Sequence, residues 1–220
     1  MAMRFADQSV FLYRRASGFD GTGMARTQAA DYDEKRLAIV DAAAELYAEY
    51  GFLGASLVDL AERCNSSKSL IYHYYGSKED ILYDVMASHI DALNAAVDEV
   101  SARGLVGADK LRALTHAFTR LYVDAGARQK VLLNELAHLP EDRRARIVTG
   151  QRRLVDLVES LLCEIQPSLR RSKTKRRPAA MLYFGMINWM HTWFRPDGAA
   201  SADAVADMVV DLTLGGLPAL

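Results

Sequence analysis

The run SLVDLAERCNSSKSLIYHYYGSKED, residues 56–80, decides how this chain is read. Ser56 is placed to cap a helix, and Asp59 three residues on completes a capping box. Leu57, Leu60 and Ala61 then fall on one helical face. Cys64-Asn65-Ser66 interrupts that helix, because Asn and Ser side chains bond to nearby backbone and favour turns. A second short helix is expected from Ser67 to Tyr75. Gly76 ends it, and Ser77 with Asp80 caps a third. Two short helices joined by a tight polar turn form the unit that lays a recognition helix in the major groove of DNA.

The second helix carries the chemistry that such a role needs. Lys68, Ser69, Tyr72 and His73 fall on an outward arc, while Ile71 and Tyr75 point back to a core. Large tyrosines are costly to leave in water without a task, and their hydroxyls donate well to phosphate oxygens. Lys68 and Lys78 supply positive charge. The sum of charges gives no such support. The whole chain carries −1, and residues 32–80 hold Lys35, Arg36, Arg63, Lys68 and Lys78 against nine carboxylates. A nucleic-acid role therefore rests on where the positive groups sit.

At 220 residues, half of them hydrophobic and a quarter charged, the chain can bury a sizeable core. Cys64 and Cys163 are its two cysteines, so neither a disulfide framework nor a cysteine metal site is expected, and a reduced cytoplasm fits. The longest nearly apolar run, MLYFGMINWMHTWF at 181–194, is too short and too polar to span a bilayer. No cofactor, metal or membrane partner is expected.

The pattern is helical along the whole length, an all-α fold of about nine helices. Residues 1–31 lack periodicity and read as a flexible arm. Residues 32–80 read as a three-helix helix-turn-helix domain, and 81–220 as a ligand-binding and dimerisation domain. A first helix near 33–50 places Leu37, Val40, Ala44 and Tyr47 on one face, with Gly51 as its cap. A long helix runs from Ser77 to about Ala102, without Pro or Gly. Further helices are expected near 108–125, 127–138, 140–165, 174–195 and 201–214. Aromatics concentrate on two of them. Phe118 and Tyr122 lie four apart on one helix, Trp189 and Trp193 four apart on another, with Phe184 nearby. Together with Asn134, His138 and Asn188 as polar anchors, they are candidates to line an apolar ligand cavity. A packed core or a dimer face is the competing reading of the same residues.

SSKSLIYHYYGSKEDIL, residues 66–82, resembles the helix-turn-helix signature of the tetracycline-repressor (TetR) family, typically V-S-K-G-T-L-Y-H-Y-F-x-S-K-E-x-L. Ser69 and Leu70 depart from it, standing where glycine and threonine are common. The resemblance implies a homodimeric, ligand-responsive transcription factor, usually a repressor, on a palindromic double-stranded operator. Ser56, Ser67, Lys68, Ser69, Tyr72, His73 and Lys78 then take the DNA-facing positions. The two C-terminal helices would form the dimer's four-helix bundle. INWMHTWFRPDGAASADAVADMVVDLTLGGL (187–217) and LLNELAHLP (132–140) are also similar to the branch of this family that regulates fatty-acid, steroid and aromatic-acid degradation. That branch commonly senses coenzyme A thioesters, which gives the basic run at 170–177 a candidate role against phosphate. The alternative effector is a hydrophobic drug-like cation controlling an efflux gene. An enzyme is not expected, since the chain has no H-E-x-x-H, P-loop, dinucleotide fingerprint or G-x-S-x-G elbow.

Overall fold

The computed structural model describes residues 23–219, and every regular element among them is helical. The expectation for residues 1–22 lies outside the described residues. In chain order the α-helices are α1 (Gly23–Gly54), α2 (Leu57–Arg63), α3 (Lys68–Tyr74), α4 (Lys78–Ala102), α5 (Gly107–Asp124), α6 (Gly126–Asn134), α7 (Glu141–Ile165), α8 (Arg176–Asn188), α9 (Met190–Trp193) and α10 (Ala202–Gly216). Short 3₁₀ turns at Leu136–His138, Pro167–Arg171 and Leu217–Ala219 join or end them. The chain divides into two units between Ala38 and Ile39. In the first, Lys35 pairs with Asp31 one turn away at 2.8 Å.

Three elements differ from the sequence expectation, one being the helix expected over 127–138, which ends at Asn134 before a 3₁₀ turn. α1 begins at Gly23 rather than near residue 33. Residues 25–31 hold Ala, Arg and Gln, which favour helix without forming an apolar stripe, so periodicity does not reveal them. Gly51 interrupts α1 with φ +74°, a left-handed conformation that a side chain disfavours. The expected single helix 174–195 is broken at Trp189 into α8 and α9, so Trp189 and Trp193 do not share one continuous helical face.

In the second unit α4 is the central column, packed by α5, α6 and α7. Ile81, Leu82, Val85, Met86, Ile90, Leu93, Val97 and Val100 make its buried stripe. The approach of α7 is set by an absent side chain. A Cβ built on Gly150 would lie 2.4 Å from Cγ2 of Ile90, well inside van der Waals contact, and that branched methyl sits next to the backbone. Elsewhere on α7, Glu159 receives Arg176 at 2.9 Å, and Arg177 pairs with Asp156 and Glu159. Arg170 donates to the Cys163 carbonyl at 3.2 Å. Three arginines of the basic run thus fasten the connection from α7 to α8.

α5 and α10 pack antiparallel along a charge ladder with a four-residue period on each helix. Arg112 pairs with Asp207 and Asp211 at 2.6 and 2.7 Å, and Arg120 with Asp203 at 3.0 Å. His116 sits between them, with Nδ1 2.9 Å from Asp203 and Nε2 3.0 Å from Asp207. Both carboxyls are held below the usual aspartate range, Asp203 by Arg120 and then His116, Asp207 by His116 and then Arg112. Among the described residues no helix is long and apolar enough to cross a membrane.

Two outcomes follow for stability. Gly150→Ala should lower the thermal midpoint, since overpacking costs about 1–3 kcal/mol against the ~1 kcal/mol that alanine returns in helix propensity. Ile90→Ala in the same chain should recover part of the loss, so the double variant melts above the sum of the two. For the ladder, a carboxyl whose folded pKa is depressed stabilises the fold above its unfolded value, and that stability is lost as pH falls through the folded one. The double variant Asp203→Asn/Asp207→Asn should therefore melt lower at pH 7. Its midpoint should also fall less steeply than the parent's between about pH 5 and pH 3.

Candidate functional site

The outward surface at α2–α3 is built by its caps. The Asp59 amide donates to Ser56 Oγ at 3.1 Å and the Ser56 amide to Asp59 Oδ2 at 2.9 Å, the reciprocal pair expected at this start. Ser67 Oγ accepts from the Leu70 amide at 3.2 Å and Ser77 Oγ from the Asp80 amide at 3.1 Å. Between the two helices Asn65 takes φ +48°, a left-handed turn that Asn tolerates better than most residues. The Ser66 amide then reaches back to the Ala61 carbonyl at 2.8 Å. Leu60, Ala61, Ile71 and Tyr75 are buried under the turn, and the Tyr75 hydroxyl donates to Asp84 Oδ2 at 2.5 Å. The end of α3 is thereby tied to α4.

This packing leaves Ser67, Lys68, Ser69, Leu70, Tyr72 and His73 exposed on one side of α3. The Lys68 ammonium lies 5.7 Å from the centre of the Tyr72 ring, one turn on, and Tyr72 is 50% exposed. No carboxylate occurs from Cys64 to Lys78. Among nearby acids, Glu49 and Glu45 pair with Arg63 at 2.8 and 3.5 Å. Ser56 is exposed too, with its hydroxyl committed to the cap.

Lys78 needs correction. Expected to reach DNA, it turns inward, donating its ammonium to the Phe52 carbonyl and lying 4.2 Å above the Phe52 ring. Burial holds that ammonium below the usual lysine range. Lys78 closes the joint between the end of α1 and the start of α4. His138 belongs to the same joint, its ring stacked on Phe52 at 5.3 Å and its Nε2 3.4 Å from Glu135.

The expected ligand residues scatter. Phe118 and Phe184 meet with centroids 6.2 Å apart, both buried. Asn134 is exposed, and Trp189 and Trp193 are 64% and 50% exposed. Tyr122 and Asn188 meet at a cluster centred on two residues that sequence reasoning missed. His89, from the middle of α4, lies with Nε2 2.7 Å from Gln129 Oε1 on α6, and that oxygen makes the ring nitrogen the donor. Gln129 Nε2 donates to Asn188 Oδ1 at 3.1 Å. The Tyr122 ring lies 6.2 Å from His89. Burial pushes the His89 ring down to about 4, so it is neutral at pH 7. It also pushes the Tyr122 and Tyr183 hydroxyls far up. One layer away the Thr115 hydroxyl donates to the Leu111 carbonyl at 2.7 Å and accepts from Tyr183 at 2.8 Å. The buried polar residues are His89, Thr115, Thr119 and Gln129, and no Asp, Glu, Lys or Arg among the described residues is buried. A lone His inside an apolar stripe was the only sequence signal for this cluster.

Comparison with known proteins agrees with this architecture. Residues 39–85 match the family described as bacterial regulatory proteins, tetR family, and residues 104–217 match the tetracyclin repressor-like C-terminal domain. A TetR-family transcriptional regulator from Bordetella parapertussis 12822 is 35% identical. The match covers 84% of this chain and 96% of that one, with a TM-score of 0.78. AibR, solved in complex with isovaleryl coenzyme A and operator DNA, is 26% identical over 81% of this chain and 97% of its own, with a TM-score of 0.71. The transcriptional repressor KstR2 of Rhodococcus jostii RHA1 is 22% identical over 83% of this chain and 91% of its length. With both segments matched, and the outward α3 inside the first of them, the chain belongs to the TetR family of DNA-binding transcriptional regulators.

Proposed function

We propose that this protein is a cytoplasmic homodimeric repressor that grips a palindromic operator through α3 and releases it when an acyl- or aryl-coenzyme A thioester binds. The observation that carries the DNA half is the acid-free outward arc of Ser67, Lys68, Ser69, Tyr72 and His73 above a buried Ile71. Residues 32–80 act as the DNA-binding domain in this reading, and 81–220 as the effector and dimerisation domain. The dimer half is supported by large apolar side chains left in water on the last helices: Met181, Leu182, Trp189, Met208 and Leu212 are each more than half exposed. A two-fold pair of this kind matches a two-fold operator.

The effector half is supported by likeness to AibR, which was solved with both a coenzyme A thioester and operator DNA. The absence of buried carboxylates among the described residues weighs against the drug-cation alternative. Release requires a thioester to bind the DNA-incompetent arrangement more tightly than the gripping one. A dimer on successive major grooves needs recognition helices about 34–36 Å apart. Tilting α4, whose first turn follows α3 directly, changes that separation.

Alanine at Lys68 should weaken binding to a duplex selected from a random pool by about tenfold or more, and lower the salt slope by roughly one per subunit. Tyr72→Ala should weaken it with little change in slope. Filter-binding across a salt series reads both, and unchanged affinity in both variants removes α3 from the interface. The effector is tested by titrating the wild-type operator complex with acyl- and benzoyl-coenzyme A and with cationic dyes, followed by fluorescence anisotropy. Thioesters should release the duplex and dyes should not, and the reverse result favours the efflux reading.

A further inference from the structure

Three buried side-chain polar atoms lack a hydrogen bond among the described residues: the Tyr47 hydroxyl, Ser66 Oγ and Asn94 Oδ1. Ser66 and Asn94 belong to half-buried residues, whereas Tyr47 is only 2% exposed. Its ring packs edge-on to Phe52 with centroids 5.5 Å apart, which places it in the joint where the end of α1 meets the start of α4. The second residue of α4, Glu79, is half-buried and makes no hydrogen bond or ion pair among the described residues. Its charge reaches the Tyr47 hydroxyl, which burial and then Glu79 push far above the usual phenol range. A donor on α1 and an acceptor on α4 thus lie within electrostatic reach of each other, both unmatched.

What α4 offers the joint instead is Lys78. The Ala55 amide takes the Gly51 carbonyl at 3.2 Å and the Ser56 amide turns to Asp59 at 2.9 Å. The Phe52 carbonyl is therefore among the acceptors that a helix end leaves open. The Lys78 ammonium fills it, 4.2 Å from the centre of the Phe52 ring and 5.8 Å from that of Tyr47. A cation also suits the negative end of the α1 dipole. Neighbouring residues on a helix point about 100° apart, so the turn of α4 that seats Lys78 on Phe52 leaves Glu79 off Tyr47. This arrangement costs a buried hydroxyl its hydrogen bond.

We infer that this joint is a two-position latch, with Lys78 on the Phe52 carbonyl in one position and Tyr47 bonded to the Glu79 carboxylate in the other. Leaving the first position gives up an ammonium–carbonyl bond and gains a hydroxyl–carboxylate bond. Both are charge-assisted, so the two positions lie close in free energy. The exchange turns the first turn of α4 against the end of α1. The segment after α3 moves with α4, because the Tyr75 hydroxyl holds Asp84. The unmatched Tyr47 hydroxyl is what keeps the first position from being locked. The latch's bearing on DNA rests on the operator-binding reading above, in which a tilt of α4 changes the spacing of paired recognition helices.

The test is a set of thermal melts on the full-length protein, scored by the sign of one substitution in two backgrounds. In the parent, Tyr47→Phe removes the unmatched hydroxyl and should raise the midpoint by roughly 2 °C or more. Lys78→Met abolishes the first position, so Tyr47 then bonds to Glu79, and Tyr47→Phe should lower the midpoint instead. Adding Glu79→Ala to that background should turn the sign back. Lys78→Ala takes its place if the methionine variant does not fold. Tyr47→Phe, held in the first position, should also change affinity for a duplex selected from a random pool by about threefold or more. A parent midpoint that stays or falls, or the same sign in both backgrounds, overturns the latch. A smaller change in duplex affinity overturns its link to DNA. Should the parent take up no duplex from the pool, the operator reading falls, and the melting signs alone decide the latch.

Discussion

The structure depends on one helix serving two neighbourhoods. α4 starts from the Ser77 cap, one residue after the glycine that follows the recognition segment. It continues for 25 residues, about 37 Å, without a break. Ile81 and Leu82 near its start, and Ile90, Leu93 and Val97 further along, all lie in one buried cluster with Leu60 and Ile71. A regular helix transmits tilt because bending it means stretching backbone hydrogen bonds. Contacts along its length set its attitude, from the Tyr75–Asp84 bond and the Arg143–Asp80 pair near the start to the glycine gap that lets α7 close on Ile90.

The joint between the two halves is chemically distinct from either. Phe52 receives the Lys78 ammonium and the His138 ring, while Arg128 on α6 pairs with Asp41 on α1 at 2.5 Å. α6 and the 3₁₀ turn after it therefore make two kinds of contact: Gln129 bonds to His89 and Asn188, and His138 stacks on Phe52. Electrostatic attachments at this joint are partly exposed and individually weak. The ladder of α5 on α10 instead fixes its register with several pairs at once.

Much of this was legible in the sequence where the signal is local. Ser56, Ser67 and Ser77 announce three helix starts because a hydroxyl and an amide three residues on are one turn apart, and Ile71 and Tyr75 follow from helical spacing. What escaped depends on three dimensions. Lys78 reads as a surface cation until Phe52, 26 residues upstream, is seen to offer it a carbonyl. His89 and Gln129 are 40 residues apart and look unremarkable singly. Trp189 and Trp193 promise a shared face only if the helix continues, and no proline or glycine marks the break. The early start of α1 was hidden because alanine-rich helix without an apolar stripe has no period to detect.

The acid-free arc on α3 sits in a chain of net charge −1, among neighbours richer in carboxylates than in cations. Residues 32–80 hold nine carboxylates against five cations, so Cys64 to Lys78, which carries no acid, is the stretch where a negative backbone is repelled least within a Debye length, about 8–10 Å at ordinary ionic strength.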